Sequence, residues 1–579
     1  MQRNITYLIL LPGLLLGLFA GHAHAQLSNK VTFGGAGRFL LDQGRIDGEL
    51  LETDTTTARR ELNGLALFDF GVTIRPNEDT EIKSVMRVEN DIDGFWGAGI
   101  TFQLRELTAR GVAGKVVRYA IGDIDAALTP YTLWNPSSEF RLMRNPAFDV
   151  FRDIVDYENF YADSTWRQQG LEAEWKLDFD RGIESLTFHG LVSKNRNTDY
   201  FTLPDRLLAF GRVQAVINPA FSLQLQAINL FEIAESAQFN DEERAHRAGS
   251  ILASTGTSCS SMDWRLDVET GLSSVRYANL AEAPDEPTED FFVDGTARLQ
   301  WPQRNLQASL SYRDVGPDYR APGAQSRRLD PAASAAAFSF YTNRETQRPV
   351  SIADVVRDRT LYNRTIAPEL GAFNPSWENA QPYGQATPNR RGVHAAVNWT
   401  GDSARRMEWR GEAAFLTEIR GEGTEALRRF LTVEAAGIVH LGRYAGWEKA
   451  LDLHAGLRNQ QTTRSGTEGI DEVSLGSLQA ELGLQWEIYP RLDLLGGMLF
   501  LQSEGNEYLA DRDGFNRIVF YDAYTADLRE NWISAGLRYR FSDNMVLSAQ
   551  YFYLDRLNNL DPTTAYTLQQ AVVLYNLFF

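Results

Sequence analysis

Residues 476–488 alternate without a break. Gly476, Leu478, Ala480, Leu482, Leu484, Trp486 and Ile488 fall on one side, and Ser477, Gln479, Glu481, Gly483, Gln485 and Glu487 on the other. Successive side chains of a strand point to opposite faces, so this segment shows oil one way and water the other. A soluble sheet can carry the same alternation, but rarely for so long and rarely so many times in one chain. Strand 262–274 repeats it, with Trp264, Leu266, Val268 and Leu272 against Asp263, Arg265, Asp267 and Glu269. Strand 304–313 sets Leu306, Ala308, Leu310 and Tyr312 against Gln307, Ser309, Ser311 and Arg313. Strand 170–179 sets Leu171, Ala173, Trp175, Leu177 and Phe179 against Glu172, Glu174, Lys176 and Asp178.

The punctuation between strands has two sizes. Short turns rich in proline, glycine and asparagine stand at 75–78, 180–182, 218–220, 302–304, 401–403, 489–491 and 542–544. Longer polar stretches stand at 43–58, 126–164, 195–205, 233–246, 280–290, 317–388, 505–528 and 556–565. Counting back from a last strand at 566–579 puts every short turn on one rim and every long loop on the other. A first strand at 31–42 and a weak one near 246–256 complete the count. The expectation is all-β: a transmembrane antiparallel β-barrel of about 22 strands (range 18–24), with short periplasmic turns and long extracellular loops. Charges on the lipid face of such a barrel are costly, so the charged faces above belong to the lumen. Trp301, Trp399, Tyr489 and Tyr575, near strand ends, suit the headgroup girdles.

The two ends agree. Met1–Ala25 has the parts of a secretory signal: Arg3, an apolar run from Leu8 to Ala20, and Ala23-His24-Ala25 before Gln26. The run is short for a membrane helix and broken by Pro12, so its removal is expected and 26–579 forms a single barrel domain. No cysteine follows the cleavage site to carry a lipid. Five residues between that site and the first strand are too few for a plug domain, which argues against a TonB-dependent transporter. At the other end Val573, Tyr575, Leu577 and Phe579 alternate to a terminal phenylalanine. That pattern resembles the assembly signal of outer-membrane proteins, and implies recognition of Tyr575, Leu577 and Phe579 by the barrel-assembly machinery. As a whole the chain is similar to large porins and alginate-export-type channels of Gram-negative outer membranes.

Composition removes other classes. The formal net charge of −19 argues against nucleic acid as a partner. One cysteine, Cys259, excludes an internal disulfide or a cysteine metal cluster. Only six of the 57 basic residues are lysine. Arginine suits a packed pore wall, and genome composition gives the same bias. No catalytic motif is present, and neither an enzyme, a cofactor nor a metal site is expected. His189, His394, His440 and His454 fall on lumenal faces near Glu434, Asp452 and Arg458, where a hydrated pore wall accounts for them. A His/Asp hydrolase site is the alternative.

Two loops stand out. Loop 317–388 holds Arg320, Arg327, Arg328, Arg344, Arg348, Arg357, Arg359 and Arg364 among aromatics, with a helix-like turn at 351–357. It reads either as a constriction that selects anionic or carbohydrate solutes, or as an external cap paired with its own acids, Asp330, Glu345, Asp354, Asp358 and Glu369. Loop 126–164 is too apolar to stand free in water and is expected to pack over or into the barrel mouth. The acidic run 281–290 reads as calcium ligands or, more simply, as a solvated loop. The expected lumen-facing set is Glu172, Glu174, Arg265, Asp267, Arg313, Glu434, His440, His454 and Glu481. The expected role is an outer-membrane channel for small hydrophilic solutes. A polysaccharide-export channel and a non-conducting surface scaffold or adhesin remain as alternatives, with outer-membrane lipid and the solute as partners.

Overall fold

The computed structural model describes residues 30–48, 60–91, 100–135, 144–159, 164–239, 243–259, 261–280, 283–325, 375–401, 405–468, 470–513, 515 and 517–579. The strands are β1 (Val31–Gly48), β2 (Arg60–Asn77), β3 (Thr80–Asp91), β4 (Thr101–Ala113), β5 (Val117–Ala126), β6 (Trp166–Asp178) and β7 (Ser185–Arg196). Then come β8 (Arg206–Asn218), β9 (Phe221–Glu232), β10 (Glu243–Cys259), β11 (Met262–Ala278), β12 (Thr288–Trp301), β13 (Leu306–Val315), β14 (Arg390–Trp399) and β15 (Met407–Thr417). The last are β16 (Arg429–His440), β17 (Leu451–Arg464), β18 (Val473–Tyr489), β19 (Leu492–Arg512), β20 (Ile518–Ser542), β21 (Met545–Asn558) and β22 (Tyr566–Phe578). Among the described residues three short helices accompany them: α1 (Asp149–Asn159), α2 (Pro322–Gln325) and α3 (Leu441–Ala445). None of the described helices is long and apolar enough to cross a membrane.

Each strand pairs antiparallel with the next, and β22 returns to β1 from Ala36↔Phe578 to Gly48↔Tyr566. The sheet is therefore a closed barrel of 22 strands. The short-turn rim is built as the residues dictate. Asn77 and Asn218 each accept a backbone N–H two residues on, and Asn305 takes the left-handed conformation after Pro302–Arg304. The β16–β17 turn is longer than a hairpin and holds α3, closed by Gly446 at φ 65°.

Alternation sets the two faces. On β18 Leu482 and Trp486 are exposed outward, while Ser477, Gln479 and Glu481 are buried inward. On β11 Trp264, Leu266, Val268 and Leu272 face out, and Asp267, Glu269 and Ser273 face in. One expectation is overturned. The stretch 505–528 is not a loop: β19 runs to Arg512 and β20 starts at Ile518, paired from Asn506↔Thr525 up to Arg512↔Ile518. Glycine and charge made it read as a turn, but strands that rise above the membrane need no apolar face. Loop limits also tighten elsewhere, with β1 reaching Gly48, β10 starting at Glu243 and β12 at Thr288. The signal segment 1–25, and therefore its cleavage, lies outside the described residues, as does 351–357.

Candidate functional site: a lumen crossed by two inward segments

The inner wall is not polar throughout. Leu40, Leu65, Leu67, Leu499, Leu501, Leu528, Leu568, Val572 and Leu574 are buried on it, gathered around Phe148, Val150 and Ile154. Those three belong to the segment joining β5 to β6, which folds against the inside of the barrel. A second apolar cluster gathers Phe210, Ile228 and Phe292 of the wall around Tyr131 and Leu133 of the same segment and Tyr319 of the β13–β14 connection. Burying these faces removes apolar area from water at roughly 25 cal/mol per Å², which holds both segments inside.

The first segment meets the wall at three places. Near its start Tyr131 stacks on Phe292 at 4.1 Å, donates to Asp294 at 2.7 Å and accepts from Arg313 Nε at 2.9 Å. Complete burial raises the Tyr131 phenol well above its ordinary range, so it stays a donor. Beside it Thr129 donates to Glu269 at 2.7 Å. In the middle, Asn145 caps a turn whose tip lies on β18–β20. Asn145 Nδ2 donates to the Leu482 carbonyl at 2.9 Å, and Ser534 Oγ to the Ala147 carbonyl at 2.7 Å. Gly483 and Gly497 are cross-strand partners there. A Cβ on Gly497 would stand 2.5 Å from the Ala147 methyl, and one on Gly483 would collide with the Asn145 amide. The pair forms a notch for the tip. At its end α1 lies against β1, β2 and β4. Tyr157 donates to Asp69, which also accepts from Arg87 Nε at 2.7 Å and Arg105 at 2.6 Å. Burial lifts the Tyr157 phenol, with the Asp69 charge adding to it. On the same helix burial raises Asp153 to about 6, against the pull of Arg144.

The second segment, 316–325 with 375–389, locks onto the first. Tyr319 donates to the Tyr131 carbonyl at 2.6 Å, and Trp166 Nε1 to the Gly323 carbonyl at 2.7 Å. Its far side reaches the opposite wall, where Arg458 donates to the Trp377 carbonyl at 2.8 Å and Asn379 to Glu507 at 2.8 Å. Arg420 clasps Asp318 through two bonds of 2.8 Å. Burial alone would raise Asp318, but Arg420's hydrogen bonds and charge outweigh it and hold the carboxyl below its ordinary value.

Beneath these segments two recesses open on the short-turn side. One, of about 850 Å³, is walled by β11–β15 and residues 128–131. The other, of about 730 Å³, lies under α1 against β1–β4 and β22.

Among the residues singled out from the sequence, Glu172 and Glu174 lie on the inner face of β6, His189 of β7 hydrogen-bonding Glu172. Arg265 and Asp267 pair at 2.8 Å, and Arg298 shares Asp267. Arg313 meets Tyr131. Glu434 lies 3.7 Å from Arg458, and Glu481 3.6 Å from Arg152 of α1. His440 bonds Asp452 at 2.8 Å, His394 bonds Glu412 at 3.1 Å, and His454 is buried opposite Gly483. Arg320 is buried, its guanidinium donating to the Tyr319 carbonyl at 2.6 Å and its backbone N–H to Ser273. Arg327, Arg328, Arg344, Arg348, Arg357, Arg359 and Arg364 lie outside the described residues. Tyr575, Leu577 and Phe579 sit where the barrel closes: Phe579 stacks on Phe68 at 5.5 Å and its N–H reaches the Gly35 carbonyl. Sequence reading passed over Asp69, the glycine notch and the apolar inner positions. The signal for the last was β22, whose Leu568, Val572 and Leu574 interleave with the outward Val573. Among the described residues no cluster of metal-ligating side chains occurs.

A closed, even-stranded barrel with an apolar exterior, a polar lumen narrowed by folded-in connections, and turns short on one rim and long on the other is a porin-like barrel of the outer-membrane class. Neither a family model nor a curated protein matches the chain. Solved structures that align include Pseudomonas aeruginosa OccK2 (OpdF) in complex with glucuronate, at 10% identity and TM-score 0.37, covering 96% of this chain and 100% of that one. Pseudomonas aeruginosa OccK5 (OpdH) aligns at 9% identity and TM-score 0.34, covering 94% and 98%. A BenF-like porin from Pseudomonas fluorescens Pf-5 aligns at 8% and 0.35, covering 95% and 99%. Overlaps of this size carry no argument, and the class rests on the chain's own geometry.

Proposed function

We propose that the protein is a diffusion channel of the Gram-negative outer membrane for small hydrophilic solutes, not an enzyme. The observation that carries this reading is the lumen: a polar, charged wall against which two tethered segments fold, leaving recesses lined by charged side chains beside them. A 22-stranded barrel is too wide for its own side chains to fill, so inward segments set its bore. In the described part of the lumen the guanidiniums of Arg265, Arg298, Arg410, Arg428 and Arg458 each meet a carboxylate. Such a wall hydrogen-bonds hydroxyl-rich or carboxylate solutes without strong charge selection. A marked anion preference would come from the arginines of 327–364, completing a constriction with Arg320. The His–carboxylate pairs join neighbouring strands and serve the wall.

Planar-bilayer recording of the purified protein in a salt gradient tests this. Stable conductance steps are expected. If the arginine constriction holds, neutralising Arg327, Arg328 and Arg344 together removes the anion preference, and an unchanged reversal potential rejects it. Silence in the bilayer would reject the open channel and favour a closed export gate or a scaffold.

A further inference from the structure

The wall has one weak seam. β4 and β5 pair only from Thr108↔Gly122 to Ala113↔Val117, six pairs, fewer than any other neighbours in the barrel. Above Thr108, β4 goes on pairing with β3 up to Thr101↔Glu89, and β5 with β6 up to Ala126↔Trp166, but not with each other. Arg105 is the extra residue of a bulge against Val85 and Met86, which turns β4 aside. At the fork the ladder is replaced by side chains: the Leu107 N–H donates to the Asp123 carboxylate at 2.6 Å, and Gln169 donates to its other oxygen at 3.1 Å. Higher up, Arg167 reaches Asp125 at 3.1 Å and stands 3.8 Å from Glu106, which pairs with Lys83 at 3.0 Å. Asp125 and Gln169 are exposed and Asp123 is half-buried, all on the strand face that carries Ile121 and Leu171 lower down.

A strand edge whose ladder stops short and acidic side chains are both costly against hydrocarbon, and among the described residues they coincide here. Water in the gap satisfies both. Behind the fork lies the recess under α1, whose wall carries Arg38, Lys83, Arg105, Arg144 and Arg167 against Asp69, Glu106 and Asp153. In front of it Phe102, Leu104, Leu107 and Ile121 are exposed on the outer surface. We infer that the β4–β5 seam is a lateral portal between this recess and the outer leaflet, suited to an amphiphile with a carboxylate head and an apolar tail. The cationic recess takes the head while the apolar lips take the tail. The inference adds to the channel reading and fails separately from it, because conductance does not report on the seam.

The test uses full-length protein in lipid vesicles, in a Cys259→Ser background, with a bimane on Asp125→Cys. A second labelled variant, Gln169→Cys, covers loss of the Asp125–Arg167 pair, and Leu482→Cys on the lipid face is the reference. Iodide should quench the label at 125 or 169 several-fold more than at 482, and spin-labelled lipid should also reach it. Dodecanoate should protect the label from iodide, whereas butanoate, with the same head, should not. A label at both seam positions that only lipid reaches would mean a sealed wall. Equal protection by both acids would mean no tail recognition. Either result overturns the portal.

Discussion

Replacing Phe148 with alanine separates the role of the first inward segment from that of the barrel. Phe148 is fully buried between the segment and the wall, its ring 6.3 Å from that of Phe552 and packed among Leu499, Leu501 and Leu574. Truncating a buried phenylalanine costs about 3–5 kcal/mol, including the cavity it leaves. No ladder pair runs through residue 148, so this cost falls on the docked segment and not on strand pairing. At about 1.4 kcal/mol per tenfold, the detached-to-docked ratio of the tip should rise by roughly two to nearly four orders of magnitude. The polar ties of Asn145, Ala147 and Asp149 to Leu482, Ser534 and Arg538 remain and oppose complete release. Single-channel recording is the assay. Phe148→Ala should show larger steps with rapid flicker between two levels, while the heat-modifiable migration of the folded barrel on gels is unchanged. Wild-type conductance and noise in a correctly folded Phe148→Ala protein would refute the idea that this segment sets the bore.

Two further outcomes follow from the same geometry. The Asp318–Arg420 clasp should be acid-labile. Asp318 is held below its ordinary value of 3.8, so its stabilising effect is present above that value and is lost as pH falls through the lowered one. Acid-induced flicker is therefore expected below about pH 4, absent or pH-independent in Asp318→Asn; the same acid response in that variant would assign the effect elsewhere. Gly497→Val should displace the Ala147 tip by overpacking, at about 1–3 kcal/mol, because β19 itself tolerates a side chain there. Its conductance should move in the same direction as that of Phe148→Ala, and an unchanged bore would show that the notch does not locate the tip.

What could be read in the sequence divides along a physical line. Strand identity and facing were legible wherever one face meets lipid and the other water, as on β11, β18 and the lower part of β6. They were illegible where a strand rises above the membrane, as in residues 505–528, because alternation loses its cause there. They were half-legible where the inner face is itself covered by protein. β22 shows this: Leu568 and Leu574 point inward to Phe148, so both of its faces are apolar. Inner apolar residues on β1, β2, β19 and β22 are thus a record of what lies inside the barrel, and loop 126–164, too apolar for water, was the other half of that record. Matching the two predicts an inserted segment without coordinates. The β4–β5 fork left no such pair of signals: a bulge at Arg105 and Asp123 in place of a ladder bond look, one residue at a time, like ordinary barrel composition. Only the register shows that four residues of β5 have no ladder partner in β4. The polar groups that replace that partner gather on both sides of the same gap, which is why water there explains them together and no single side chain does.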